Sequence, residues 1–297
     1  MNDSISDTTL DTFPKLLINH ASRRPDHDSI REKDLGIWQT WKWAQVAKEV
    51  RALACGLADL GLKRGDKLAI IGDNRPRLYW GMTAAQSLGA IPVPLYQDSV
   101  ADEMAYVLDN ADVKIALVED QEQVDKILEI QERCPKIEHI IFDNPRGLRN
   151  YEEDNLHNYE DIQDRGRNFE KRQPDFYEKE VAASTGSDIS IMLYTSGTTG
   201  KPKGVVLTND NVIITARNGI IREKLTPNEE VLAYLPMAWV GDNLFSYAQS
   251  YVAGFCVSCP ESGATVLTDL REIGPTYYFA PPRVYENMLT QVMIRME

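Results

Sequence analysis

The sequence predicts an α/β fold of mostly parallel sheets flanked by helices in two lobes. Three observations carry this expectation. Short apolar runs alternate with stretches of helical period between Thr40 and Phe142. The stretches between those runs are long enough for crossover helices, which parallel strands require. The alternation lapses once, in a segment crowded with both signs of charge, and then resumes. The expected division is therefore a first α/β lobe over residues 1–142, a charged connecting segment over 143–187, and a second lobe over 188–297.

Taken in order, Val46, Val50, Leu53, Ala54, Leu57 and Leu60 recur at helical spacing between Thr40 and Leu60, and Gly61 supplies a stop. Leu68–Ile71 reads as a strand, the stretch after Pro76 to Leu88 as a helix, and Ile91–Leu95 as a strand. The pattern repeats with a helix over Ala101–Asn110, a strand over Val113–Val118, a helix over Gln121–Arg133 and a strand over Ile137–Phe142. From Asp143 to Glu180 the apolar period fades, so that segment reads as a solvated connector with one or two short helices. Beyond it come strands at Ile189–Tyr194, Gly204–Leu207, Val231–Leu235 and Thr265–Leu267, with a helix at Asn211–Lys224. Val284, Met288, Leu289, Val292, Met293 and Met296 share one helical face, and no closing turn follows. The chain is therefore expected to be part of a longer protein.

Composition narrows the function. With 45 acidic against 32 basic residues, the net charge of −13 repels nucleic-acid phosphates, and no basic patch offsets it. Met1–Asp11 lacks the basic and apolar regions of a secretory signal, which predicts a cytoplasmic address. The apolar stretch Tyr234–Pro260 is interrupted by Asp242, Asn243 and Gln249 and reads as no membrane span. Cys256 and Cys259 form a CxxC, but no second pair or nearby His completes a tetrahedral set, so both read as buried structural residues. His20, His27, His139 and His157 show no ligand spacing, and no metal site is assigned.

The chemistry is concentrated in Tyr194-Thr-Ser-Gly-Thr-Thr-Gly-Lys-Pro-Lys-Gly204, which lies between two apolar strand-like runs. Gly197, Gly200 and Gly204 let backbone N–H groups approach an anion without an intervening Cβ. The hydroxyls of Thr195, Ser196, Thr198 and Thr199 add rotatable donors, and Lys201 and Lys203 add compact positive charge. A flexible linker would need neither flanking strands nor Pro202 between two lysines. A Walker A loop aligned on Gly200-Lys201 would require Gly at Thr195 and Ser or Thr at Pro202, and it fails at both.

This stretch resembles, position by position, the signature loop of the adenylate-forming superfamily, which includes acyl-CoA synthetases, peptide-synthetase adenylation domains and luciferases. The resemblance implies that the loop holds the β- and γ-phosphates of ATP while a carboxylate attacks the α-phosphorus. Acyl-adenylate and pyrophosphate form, and the thiol of CoA then displaces AMP. By position, Thr195, Ser196, Thr198 and Thr199 would hold phosphates, with Gly197, Gly200, Lys201 and Gly204 completing the cradle and Lys203 neutralising charge on the leaving pyrophosphate.

Two further blocks resemble the long-chain fatty acyl-CoA synthetase branch. Tyr234-Leu-Pro-Met-Ala-Trp-Val-Gly-Asp-Asn-Leu-Phe is similar to the segment that lines the acyl and adenylate pocket, which makes Trp239, Val240 and Gly241 pocket candidates. Many relatives have His where this chain has Trp239, so no imidazole role carries over; Trp239 either shapes an acyl tunnel or packs for stability. The Thr265–Glu286 block, with Pro282-Arg-Val-Tyr-Glu, is similar to the same branch. Weaker motifs at Asp73–Pro76 and Leu88–Leu95 extend the resemblance from about Phe13 to Glu297.

The resemblance thus implies the N-terminal domain of an acyl-CoA synthetase, truncated before the C-terminal domain, with ATP, fatty acid and CoA as small-molecule partners and Mg2+ as the ion. The catalytic lysine and the Mg2+-binding glutamate of the family fall in blocks this sequence does not contain, and no catalytic residue is assigned within it. Alone, the 297-residue chain is expected to bind ATP weakly and not to form acyl-CoA at an appreciable rate. A fatty substrate is compatible with peripheral contact at the inner membrane face, though the negative charge gives it no electrostatic help there. Two other readings stay open: adenylation of another carboxylic acid, and a non-catalytic truncated fragment. Chain-length preference and oligomeric state are not written in these residues.

Overall fold

The computed structural model describes residues 7–195 and 201–296. Its centre is an all-parallel sheet of five strands in the order β4-β3-β5-β6-β7, formed by Lys67–Ile71 (β3), Ile91–Leu95 (β4), Val113–Val118 (β5), His139–Phe142 (β6) and Leu156–Asn158 (β7). Helices Pro76–Ser87, Ala101–Asn110 and Gln121–Glu129 make the crossovers. The chain steps from β3 outward to β4 and then back across β3 to β5, so the connections diverge between β3 and β5. Alternation along each strand assigns its side chains to two cores. Leu68, Ile70, Ile115, Leu117 and Ile141 enter one, and Ala69, Ile71, Ala116, Val118 and Ile140 the other.

A second sheet has the order β10-β11-β1-β2, with Asp28–Asp34 as β1, Ile37–Lys42 as β2, Glu230–Leu232 as β10 and Cys256–Cys259 as β11. The β1–β2 hairpin was not legible in the sequence, because Arg31, Glu32 and Lys33 hide its alternation and its turn is Leu35-Gly36. Both turn residues have positive φ (48° and 77°), which suits a two-residue turn but is unusual for Leu. β1 pairs in parallel with β11, so this sheet joins chain from both sides of the 143–187 segment. Ile189–Thr195 (β8) and Lys203–Thr208 (β9) form a separate antiparallel pair.

Three expectations need correction. The 143–187 segment holds two helices, Tyr159–Arg172 and Phe176–Ala183, where one or two were expected, but it also contributes β7 to the central sheet and buried residues to the core, so it is more than a solvated connector. The first of these helices crosses Trp43–Asp59 so closely that a Cβ on Gly166 would lie 1.8 Å from the Ala52 carbonyl oxygen. Tyr159, Ile162 and Phe169 are its buried apolar residues, and glycine makes the rest of the contact, which leaves little hydrophobic period to read. The Thr265–Leu267 strand is instead the start of helix Val266–Ile273. There the Thr265 hydroxyl donates to Asp269 Oδ2 at 2.6 Å, and Asp269 accepts from Lys33 Nζ at 2.8 Å. A side-chain bond across one turn and a distant ion pair outweigh the strand propensity of Thr-Val-Leu. The strand expected over Val231–Leu235 is confined to Glu230–Leu232.

Cys256 and Cys259 are both buried within β11, and burial pushes their thiols above the usual range. Helix Pro282–Met296 forms as its period predicts, yet none of its residues is buried.

Candidate active site

β8 and β9 are the stem of the glycine-rich loop. The two strands are largely apolar, with Ile189, Ile191, Val205 and Val206 suited to a pleated surface, and they pair antiparallel with Thr195 opposite Lys203 and Tyr194 opposite Gly204. Thr208 ends β9 and caps the next helix at once. Its hydroxyl accepts from the Asn211 N–H at 3.2 Å, while Asn211 Oδ1 accepts from the Thr208 N–H at 3.1 Å. Gly204 lies against the Tyr194 ring, where an added Cβ would stand 3.1 Å from Cζ. The Tyr194 hydroxyl donates to Asn110 Oδ1 at 2.7 Å, and burial pushes that phenol up to about 12. Thr195, Lys203 and Gly204 are exposed at the mouth of the stem. Ser196, Gly197, Thr198, Thr199 and Gly200 lie outside the described residues.

Beside the stem is an open cavity of about 620 Å³. Thr195 and Lys201 line it from the loop side, Met104 and Tyr106 from helix Ala101–Asn110, and Ala238 from the Tyr234–Phe245 block. Lys201 Nζ stands 5.2 Å from the Tyr106 ring centroid, a cation–π contact that holds the ammonium at the cavity wall. Sequence reasoning missed Met104 and Tyr106 because apolar and aromatic residues on an amphipathic helix read as core.

Of the pocket candidates, Trp239 is half-buried, Gly241 is buried and Val240 is 50% exposed. The Trp239 ring lies over Gly241, where a Cβ would come within 2.3 Å of it, and packs 6.0 Å from the Phe279 ring. Phe279 in turn stacks on Phe245 at 3.9 Å, so the Tyr234–Phe245 and Thr265–Glu286 blocks meet through their aromatic residues. Beneath them Asp242 is buried. Desolvation pushes its carboxyl up to about 7, opposed by hydrogen bonds from Tyr79, Ser246 and Asn74.

The family model of the AMP-binding enzymes matches residues 17–296. The chain belongs to the AMP-binding enzyme family. Among the relatives of this AMP-binding enzyme is the long-chain-fatty-acid–CoA ligase ACSBG2 of Xenopus laevis, 27% identical over 285 residues that cover 93% of this chain and 38% of the relative. The chain thus spans about two fifths of the length of the curated relatives it matches. Among solved structures, the long-chain-fatty-acid-CoA ligase FadD1 of Archaeoglobus fulgidus has a TM-score of 0.79 at 16% identity, covering 95% of this chain and 54% of that one. The anthranilate CoA ligase AuaEII, in complex with anthranoyl-AMP, has a TM-score of 0.77 at 21% identity, covering 91% and 49%. These structures establish that the N-terminal acyl-CoA ligase fold is shared.

Among the described residues of the AMP-binding enzyme no group of three or more His, Cys, Asp or Glu could hold a metal by itself. Mg2+ is usually held by one or two carboxylates together with substrate phosphates, so most of its ligands would come from the nucleotide. Among the described residues no helix is long and apolar enough to cross a membrane. The structure also brings together two histidines the sequence left apart: His139 Nδ1 and His157 Nε2 are 3.0 Å apart on β6 and β7. They are remote in sequence from the loop, and burial lowers the basicity of both.

Proposed function

We propose that this chain is the ATP-phosphate-binding N-terminal portion of a ligase that activates a long-chain fatty acid through an acyl-adenylate to acyl-CoA. The single observation that supports this best is convergence. Thr195 and Lys201 of the loop and Ala238 of the Tyr234–Phe245 block line one cavity, although they are far apart in sequence. A loop that takes polyphosphate and a block that takes acyl-adenylate must share a space for carboxylate to meet the α-phosphorus. In this reading Thr195, Ser196, Thr198 and Thr199 hold the phosphates with the amides of Gly197, Gly200 and Gly204. Lys201 and Lys203 offset the charge that develops on pyrophosphate, a role for fixed cations at a leaving group. Trp239, Val240 and Gly241 bound the acyl and adenylate side.

A fatty substrate is favoured over an aryl or amino acid by the relatives, which are long-chain-fatty-acid–CoA ligases. CoA is the expected thiol, and Mg2+ would need ligands beyond the described residues. The test is calorimetric titration of the chain with Mg-ATP and with a hydrolysis-resistant palmitoyl-adenylate analogue. Saturable ATP binding that the analogue displaces supports the proposal; a chain that binds the analogue no better than an anthraniloyl counterpart refutes the fatty substrate, and one that binds neither nucleotide refutes the ligase assignment.

A further inference from the structure

The Tyr234–Phe245 block is fastened from below by a carboxyl group that phosphate binding does not require. Asp242 is 1% exposed, and among the described residues no Lys or Arg pairs with it. Tyr79 Oη donates to Asp242 Oδ2 at 2.8 Å, and Asn74 Nδ2 donates to Oδ1 at 3.2 Å. The same Asn74 nitrogen reaches the Leu235 carbonyl at 3.0 Å and Tyr79 Oη at 2.7 Å. One small network therefore grips the block at both ends. Trp239 sits between them, its ring over Gly241 and its carbonyl accepting from the Asn243 N–H at 3.3 Å. Immediately after Asp242 the helix widens into a π-helical segment, Asn243–Ala248, an irregularity that is frequent at functional sites.

We propose that Asp242 is a positioning residue whose protonation state sets how the Leu235–Gly241 stretch, and Trp239 with it, is held against the pocket. As a carboxylate it accepts from every donor around it. Once protonated it brings a donor to a place where Tyr79 and Asn74 already donate, so one of them must turn away. With the proton on Oδ1 Asn74 gives way directly, and with it on Oδ2 the Tyr79 hydroxyl, which itself accepts from Asn74 at 2.7 Å, must turn; either change reaches Asn74, which also holds the Leu235 carbonyl and so the block. What the pocket contains rests on the ligase reading above; the proton-linked movement does not.

The groups that face Asp242 are few. Tyr79 comes from helix Pro76–Ser87, Asn74 from the turn after β3, Cys259 from β11 and Ser246 from its own helical run. Burial holds Tyr79 and Cys259 well above their ordinary ranges, which takes both out of the neutral window. Beyond Cys259 lie Glu32 of β1 and Arg75, and desolvation pushes Glu32 up to about 7 as well. Glu32 is therefore the control.

The experiment uses the full chain labelled with ¹⁵N at its tryptophan indoles, with Trp239 assigned through Trp239→Phe and its resonance followed from about pH 5 to about pH 9. The expected result is a titration of the Trp239 signal near neutrality that is abolished in Asp242→Asn and kept in Glu32→Gln. A signal that does not titrate in the wild type, that still titrates in Asp242→Asn, or that is lost in Glu32→Gln overturns the proposal. Tyr79→Phe is the second variant, because it removes one donor to the carboxylate while keeping the ring. Its midpoint should rise by about one pH unit, a tenfold change in proton affinity, and an unmoved midpoint counts against the proposal. Failure of the wild-type chain to bind the palmitoyl-adenylate analogue would sink the ligase reading and leave this titration intact.

Discussion

Thr195 and Lys203 stand opposite each other across the β8–β9 pair, so the chain leaves one strand and re-enters the other a single cross-strand spacing apart. The hydroxyl at one end of the signature loop and an ammonium at the other are thereby fixed on a rigid stem.

Replacing Lys203 by Ala should weaken Mg-ATP binding. A hydrogen bond to a charged group is worth about 1.5–3 kcal/mol, which corresponds to a loss of roughly tenfold or more in affinity. Calorimetric titration of the variant reads this directly, and an unchanged dissociation constant would remove Lys203 from the phosphate site.

Trp239→Ala opens space between Gly241 and Phe279, where the ring now lies. If the ring bounds the acyl side, adenylate analogues of increasing chain length should lose their discrimination, with longer chains gaining relative to shorter ones. A length profile identical to the wild type, together with a lowered melting temperature, would assign Trp239 to packing alone.

Gly166→Ala tests whether the charged 143–187 segment is part of the folded core. The added Cβ would meet the Ala52 carbonyl oxygen at 1.8 Å and the Gly56 nitrogen at 2.6 Å, both backbone atoms that cannot move aside cheaply. Overpacking of this kind costs about 1–3 kcal/mol, here toward the upper end, and urea denaturation should show the loss. Stability within about 0.5 kcal/mol of the wild type would mean the two helices part easily.

Stability should fall between about pH 4 and pH 7 through Glu32 and Asp242, whose carboxyls burial pushes up to about 7, and Glu32 is the one to substitute. Its folded pKa lies above the unfolded value, so the folded state holds the proton more tightly. That contribution is full below the unfolded pKa and lost as pH rises through the folded one. The span is worth about 3 kcal/mol at most, and Arg75 beside it works in the opposite sense. Glu32→Gln should flatten the decline in this window. His20 acts in the other direction: burial lowers it to about 4, so its contribution is complete above pH 6.5 and lost as pH falls toward 4. Denaturation midpoints of wild type and Glu32→Gln at several pH values would separate the two, and parallel curves would count against the Glu32 assignment.

The parallel strands were legible because their apolar runs are short, bounded and buried on both faces. Ile91–Leu95 and Val113–Val118 have the same bounds in sequence and structure. The hairpin of β1 and β2 was not legible, because the charged Arg31, Glu32 and Lys33 break the alternation of β1. Helix Tyr159–Arg172 was hidden for a different reason: its closest contact is made by a glycine, which carries no hydrophobic signal.

By itself the sequence determined the fold class and the family, because each of these is encoded in neighbouring residues, as strand period, as turn chemistry and as one contiguous motif. Only the tertiary structure decided that Ala238 shares a cavity with Thr195 and Lys201, and that Asn74 and Tyr79 hold Asp242 beneath Trp239. Those relationships join distant parts of the chain, and the burial that raises the Asp242 carboxyl arises only when the elements around it pack.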